Sequence, residues 1–597
     1  MDASMPSEKP LVIGFRNRPP RPDVIRCIRS IRCIAVQAVR PASAVAAILL
    51  GLVTIAGAQQ RDTTPGFVIR DQTVIANCGS CHRQDSTGRM GRLSYMRKTP
   101  EGWETSVRRM MSLNGVRLDP AAARAIVKYF SNTQGIAPAE LAPGRFEVER
   151  RMIDYRYTAD AGTENTCRNC HSLGRAIIQR RTNEEWGLLI ATHRGYYPLV
   201  DNQGFRSGGG SDTAPARHPM DNAISHLSRA FPLRTPEWAA WSATMRPPPL
   251  QGEWLLSGTE PGRGAFFGRL TVARVGEAED EFTSRSTYTY ARGGAPVTRD
   301  GRVIVYTGYQ WRGRSSEAGR QEPEQWREVM SVEPGWQTMS GRWFTGGYDE
   351  IGMDVTATRI GRDVIVAGVA PRALRSNASH DVTVYGANLP PNLQPGSISF
   401  GPGVRVEQVV RATPDALTLR VRVDSAASVG ARDLFIGGSS LRSGVAVYDQ
   451  ISRIKVTPLA GMARVGGVVF PKQIQQFEAI AYHNGADGRP DTPDDVELGP
   501  VDATWSLEEY GVTYDDDDLR FVGAIDPRNG RFTPAEDGPN PRRSGSRNNI
   551  GDVWVVATHR PGGSGTPLRA RAHLVVTVPL YLRWEPLGGP GAPVIRP

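Results

Sequence analysis

Cys78-Gly79-Ser80-Cys81-His82 and Cys167-Arg168-Asn169-Cys170-His171 are the two stretches on which the reading of this 597-residue chain turns. Both have the form Cys-x-x-Cys-His, the attachment signature of c-type haem. The spacing has a chemical reason. Two thiols separated by two residues can add to the two vinyl groups of one porphyrin, and the adjacent His then lies under the iron as axial ligand. A four-cysteine zinc site is the competing use of paired Cys-x-x-Cys, but about 85 residues separate the pairs here, against the roughly 15 to 20 of a zinc ribbon. A thioredoxin-like redox pair needs no trailing His. The other two of the six cysteines, Cys27 and Cys33, lie in an N-terminal segment expected to be removed, so no cysteine is left for a disulfide framework or a thiol nucleophile. The expectation is two covalently bound haem c groups, with Cys78, Cys81, Cys167 and Cys170 as thioethers and His82 and His171 as iron ligands.

An internal repeat surrounds these motifs. Arg97-Lys98-Thr99-Pro100-Glu101-Gly102-Trp103 follows the first and Arg180-Arg181-Thr182-Asn183-Glu184-Glu185-Trp186 follows the second, sharing Arg-basic-Thr-x-Glu-x-Trp. Each Thr stands where a helix N-cap is expected, ahead of an apolar helical run. Seven residues beyond Trp103 is Met110, and seven beyond Trp186 is His193. Seven residues make two helical turns, so each projects from the face of its Trp. Met and His are the common sixth ligands of electron-transfer haems, which predicts the pairs His82/Met110 and His171/His193. Met111, Met96, Met90, Met220, His218 and His226 compete for these places. A ligand on both faces leaves no open position for substrate, so the pattern points to electron transfer, running from the His/His haem to the His/Met haem. Asp119-Pro120 and Thr235-Pro236 predict two more helix starts, and Pro247-Pro248-Pro249 a stiff linker closing this region.

The first 58 residues read as an export signal: an Arg-rich start, a small apolar run from Ala42, and Ala56-Gly57-Ala58 as a cleavage site. That expectation implies a periplasmic protein with no membrane span after cleavage. Eight basic and three acidic residues leave with the segment, so the formal charge falls from +11 to +6. Such an excess is no nucleic-acid footprint.

Beyond residue 249 the pattern alternates. Thr287-Tyr288-Thr289-Tyr290 and Val303-Ile304-Val305-Tyr306 read as strands, with Asp300-Gly301 as a hairpin turn before the second. Trp254, Trp311, Trp326, Trp336 and Trp343 are enough to fill a small barrel. Short strands at 381–385, 417–423 and 433–436, then at 451–456 and 572–582, predict two immunoglobulin-like sandwiches. The fold class expected is therefore multidomain α plus all-β. A signal peptide (1–58) precedes a mostly helical diheme cytochrome c domain (59–249), an antiparallel β-barrel (250–362) and two immunoglobulin-like domains (363–449 and 450–597). Asp487 to Asp495 has calcium-type oxygen ligands without EF-hand spacing, and Asp515 to Asp518 reads as a solvated turn.

With the haem repeat followed by Gly252-Glu253-Trp254 and by Tyr306-Thr307-Gly308-Tyr309-Gln310-Trp311-Arg312-Gly313, the chain resembles the large α subunit of quinohaemoprotein amine dehydrogenase along nearly its whole mature length. The resemblance implies an αβγ heterotrimer with a β-propeller subunit and a small subunit. The small subunit carries the cysteine tryptophylquinone that oxidises primary amines. It further implies an acceptor such as a small cytochrome c or a blue copper protein. This chain would then be a diheme electron-transfer subunit with no catalytic residue of its own. A diheme cytochrome c peroxidase and a diheme carrier for another periplasmic dehydrogenase are the alternative readings.

Overall fold

The computed structural model describes residues 63–151, 156–168, 171–197, 200, 218–321, 323–467, 469–511, 516–563 and 565–580. The expected export signal lies outside the described residues, as does Cys170.

The longer helices form where a capping side chain precedes an apolar face. In chain order the helices are α1 (Gln72–Cys78), α2 (Pro100–Leu113), α3 (Pro120–Thr133), the single turns α4 (Pro138–Leu141) and α5 (Arg145–Val148), α6 (Ala161–Arg168), the turn α7 (Gly174–Ile177), α8 (Asn183–Tyr196), α9 (Pro219–Ala230) and α10 (Pro236–Thr244). Asp71, Thr99, Asp119, Thr182 and Thr235 each accept a backbone N–H of the helix they open, as N-caps do. α2 buries Pro100, Trp103 and Val107, and the Trp103 ring stacks on Phe130 of α3 at 4.4 Å.

Two three-residue strands, β1 (Met96–Lys98) and β2 (Gln179–Arg181), cross-link the helices as an antiparallel ladder. Its pairs are Met96 with Arg181, Arg97 with Arg180 and Lys98 with Gln179. The shared Arg of the repeat thus pairs with its own counterpart, and the flanking pairs exchange equivalent positions. That is the register of a local two-fold axis through the Arg97–Arg180 pair.

Eight antiparallel strands close a barrel: β3 (Gly252–Glu260), β4 (Gly264–Arg274), β5 (Glu281–Tyr290), β6 (Val297–Tyr306), β7 (Gln310–Glu317), β8 (Gln325–Val332), β9 (Thr338–Thr345) and β10 (Ile351–Arg359), with β10 pairing back onto β3. Trp254, Trp311, Trp326 and Trp343 are buried in its core, and Trp336 packs against that core. The barrel core also takes in Ile136, Leu141, Val148 and Ile178 from the helical region. The proline stretch before β3 is held down rather than free, since Arg359 donates to the carbonyls of Pro249 and Gln251. Asp300-Gly301 is not a turn, contrary to the sequence expectation. Both residues lie inside β6, facing Arg285 and Ser284 of β5. A Cβ on Gly301 would stand 2.5 Å from Ser284 Oγ and 3.0 Å from Arg314 O, so the glycine admits close neighbouring strands instead of bending the chain.

Two pairs of facing sheets follow. In the first, strands Ile365–Ala370, Ala378–Ala387, Ala416–Val423 and Val404–Ala412 form one four-stranded sheet, and a second holds Gly430–Ile436 and Ser439–Tyr448; residues of both share one core. In the second, Arg453–Thr457 and Leu568–Thr577 lie in different sheets over a common core. In each of the two acidic stretches some carboxylates pair with basic side chains. Arg453 donates to Asp495 at 2.6 Å and Lys455 pairs with Asp491. Asp518 is buried and paired with Arg543, so the expectation of a solvated turn fails there; folding brings a guanidinium from 25 residues away onto that carboxylate. Among the described residues, no helix is long and apolar enough to cross a membrane.

Candidate functional site

The repeat seen in sequence is a repeat of contacts. Lys98 N and Trp103 Nε1 both donate to the carbonyl of Gln134, which ends α3, at 3.1 and 3.2 Å. In the second copy Arg181 N and Trp186 Nε1 both donate to the carbonyl of Phe231, which ends α9, at 3.3 and 3.4 Å. The Lys98 ammonium lies over Trp103 and the Arg181 guanidinium over Trp186. Each unit therefore consists of a helix entering the Cys-x-x-Cys-His motif, a strand, a Thr-capped helix and a third helix whose last turn receives the Trp. The shared Glu of the pattern diverges between copies: Glu101 pairs with Arg312 of the barrel, whereas Glu184 is exposed.

At the end of α1 the chain coils back, with Cys81 N and His82 N both donating to Cys78 O at 3.3 and 2.9 Å. Gly79 is needed there, because a Cβ would stand 2.5 Å from Ile75 O. His82 Nδ1 lies 3.0 Å from Gly91 O. A carbonyl only accepts, so Nδ1 carries the proton and the Nε2 lone pair is free. The other predicted imidazoles repeat this arrangement: His171 Nδ1 is 2.6 Å from Ser172 O, and His193 Nδ1 is 2.8 Å from Leu189 O. Burial lowers the proton affinity of all three rings, which favours the neutral form that binds metal.

His171 and His193 face one another with ring centres 6.3 Å apart. Two metal–nitrogen bonds of roughly 2.0–2.1 Å plus the reach of each ring add up to about that separation, so these two residues fit a shared iron. The competing histidines do not. His226 Nε2 is 2.6 Å from Tyr157 OH, with Asp160 3.8 Å from Nδ1, and the His218 Nδ1 lone pair accepts Met220 N at 3.2 Å as the cap of α9. For the first unit, Met90 and Met96 are core residues and Met111 packs on the same cluster, while half-buried Met110 stands outside it.

Glu140 of α4, which no sequence signal singled out, bridges the two arginines of the repeat. Its carboxylate accepts from Arg97 Nη1 and Nη2 at 2.9 and 2.7 Å, from Arg180 Nε at 3.0 Å and from Thr235 Oγ1 at 2.7 Å. Burial pushes its pKa up, but the Arg97 hydrogen bonds and charge, with the Arg180 charge, outweigh this and hold it at about 2. The 306–313 block is a docking turn. Thr307 N donates to Asn132 Oδ1, Tyr309 OH to Ile136 O, and Trp241 Nε1 to Thr307 O, at 2.7, 2.9 and 3.0 Å.

No curated protein matches the chain. Among solved structures, a redesigned β-barrel bound to DFHBI is 15% identical over 18% of this chain and 98% of that one, with a TM-score of 0.16. An I9–I11 tandem from titin is 9% identical over 45% of this chain and 94% of that one, with a TM-score of 0.10. At such scores neither bears on the fold. Four family models match in succession: the haem-binding domain of the quinohemoprotein amine dehydrogenase alpha subunit over 69–238, then its domains II, III and IV over 247–360, 363–449 and 454–587. Together they cover residues 69–587 with only short gaps, and the chain belongs to the quinohemoprotein amine dehydrogenase alpha subunit family.

Proposed function

We propose that this chain is the diheme electron-transfer subunit of a periplasmic quinohaemoprotein amine dehydrogenase. It binds two haem c groups, through Cys78 and Cys81 in the first unit and Cys167 and Cys170 in the second. His82 and Met110 would hold one iron, and His171 and His193 the other. Haem bound in this way supplies reversible one-electron transfer. The residues of the chain hold each iron on both sides and exclude substrate from it. The Gly91, Ser172 and Leu189 carbonyls orient the imidazoles so that each presents Nε2. The observation that carries the reading is the facing pair His171 and His193, 6.3 Å apart with both Nδ1 atoms engaged on backbone carbonyls.

Amine oxidation belongs on this reading to a cysteine tryptophylquinone on a small partner subunit, in a heterotrimer with a β-propeller subunit. With both haems bound, the His171/His193 site would be the electron entry and the His82/Met110 site the exit, towards a small cytochrome c or blue copper protein. The helical diheme domain spans 59–249, the barrel 250–362, and 363–449 and 450–597 are immunoglobulin-like domains that serve as scaffold and docking surface.

Native mass spectrometry of the complex from periplasm, with a pyridine haemochrome assay, tests this. Two haems per chain and two co-purifying subunits are expected. A colourless chain, a single haem, or robust peroxide turnover by the isolated chain would overturn it.

A further inference from the structure

The two faces of the β1–β2 ladder differ in how their charge is balanced. Alternation along the strands puts Arg97 and Arg180 on one face, and Lys98 and Arg181 on the other. Glu140 serves the first pair, with four hydrogen bonds from their guanidinium groups and Thr235. On the second face Lys98 and Arg181 are joined by Arg109 and Arg92, and these four cations act on one another electrostatically. Glu185 pairs with Arg92 at 3.2 Å and with Arg181 at 3.5 Å, and among the described residues it is the one carboxylate paired with the group.

Lys98 and Arg181 are 7% and 3% exposed, so water does not offset the surplus positive charge. The Lys98 ammonium donates to Ser106 Oγ at 2.6 Å. Arg109 lies over the Tyr196 ring at 5.6 Å, and its buried Nε has no hydrogen-bond partner. Arg92 holds a left-handed backbone (φ 63°), a costly conformation for a non-glycine residue, while its guanidinium meets Glu185. The cluster also acts electrostatically on an imidazole of each unit, Arg92 and Glu185 on His82, and Arg109 and Arg181 on His193.

We infer that Lys98, Arg109, Arg181 and Arg92 form a carboxylate-binding site shared by the two haem units, its floor of Lys98 and Arg181 buried and its rim of Arg92 and Arg109 reaching solvent, and that its occupants are the propionate groups of the bound haems. The inference rests on the diheme reading above. Guanidinium and ammonium groups are the natural partners of carboxylates, most strongly at the buried Lys98 and Arg181. Positive charge held beside a haem favours the reduced form, so one cluster raises the potentials of both haems together.

The test is an optical redox titration of the purified holoprotein and its Arg109→Gln and Lys98→Met variants. Each variant is expected to lower the midpoint of at least one haem, raising the oxidised-to-reduced ratio at fixed ambient potential by about tenfold, which is about 59 mV for one electron. Arg109→Lys and Lys98→Arg should restore most of the shift, and wild-type midpoints should not respond to inorganic phosphate at constant ionic strength. Arg109 is partly exposed, so its variant remains informative if Lys98→Met fails to fold. Unchanged midpoints in an Arg109→Gln protein that carries two haems would overturn the site. So would phosphate-dependent midpoints in the wild type that Arg109→Gln abolishes, because the occupant would then be a solute anion. Failure of the diheme reading itself is seen separately, as a wild-type chain lacking two haems before any variant is made.

Discussion

Glu140 accepts from two arginines that the repeat makes equivalent, and its replacement separates charge from shape. Glu140→Gln keeps the volume but leaves Arg97, with no exposed surface, and Arg180 without their counter-charge. Breaking a buried pair in this way costs about 3–5 kcal/mol, to be read from equilibrium unfolding at pH 7. The pH dependence has a definite sign. The folded pKa lies below the ordinary carboxylate value, so this stabilisation is complete above about 4.5 and drains away as the pH falls towards about 2. Wild-type stability should therefore drop across that window, and the Gln variant should show a shallower drop. On the diheme reading, His193→Ala removes one of the two facing imidazoles of the second unit. The expected result is loss of the low-spin bis-imidazole absorption and electron paramagnetic resonance signature from one haem, with the other unchanged. An unaltered spectrum would remove His193 from the ligand set.

Among the elements, the two Thr-capped helices and the docking turn carry the testable weight. Thr99 Oγ1 accepts Gly102 N and Thr182 Oγ1 accepts Glu185 N, each at 3.3 Å. Thr99→Ala and Thr182→Ala should each cost about 1 kcal/mol, measurable as a lowered urea midpoint, because both remove an acceptor for an otherwise orphaned N–H. In the β6–β7 turn Thr307 and Gly308 both take left-handed backbone, at φ 58° and 73°, and a Cβ on Gly308 would stand 2.9 Å from Arg246 O. Gly308→Ala is expected to cost about 1–2 kcal/mol and to lower the melting temperature, since it adds left-handed strain at a point where the helical region meets the barrel.

For the molecule as a whole, the helical region and the barrel share a core. Ile136, Leu141, Val148 and Ile178 are buried with the barrel tryptophans, and Arg312–Glu101 and Lys128–Asp280 tie the same surfaces together. A chain ending at residue 249 exposes those four side chains at roughly 1.5–3 kcal/mol each, so it should melt well below the full chain in circular dichroism. Equal melting temperatures would show that the haem region folds independently of the barrel.

The Cys-x-x-Cys-His motifs that carry the haem expectation, the repeat, the caps at Thr99, Asp119, Thr182 and Thr235, and the barrel tryptophans were legible in the chain because each is a local matter. Haem attachment needs two thiols and an imidazole within five residues, a cap needs an oxygen one step ahead of its helix, and a strand announces its buried face by alternation. The facing of His193 by His171 was also within reach, since the seven-residue spacing from Trp186 is helical geometry. Other features needed the folded chain. The three residues of β1 and of β2 are too short to show a period, so the Arg97–Arg180 pairing, and with it the separation of one charged face from the other, comes from the packing of the helices on either side. Glu140 lies 43 residues from Arg97 and 40 from Arg180, beyond any local signal. Asp300-Gly301 has the composition of a turn and became strand because its neighbours across the barrel supply hydrogen bonds on both sides. In each case the partner is distant in sequence, and the free energy of a buried charge or a paired strand depends on what the tertiary fold brings beside it.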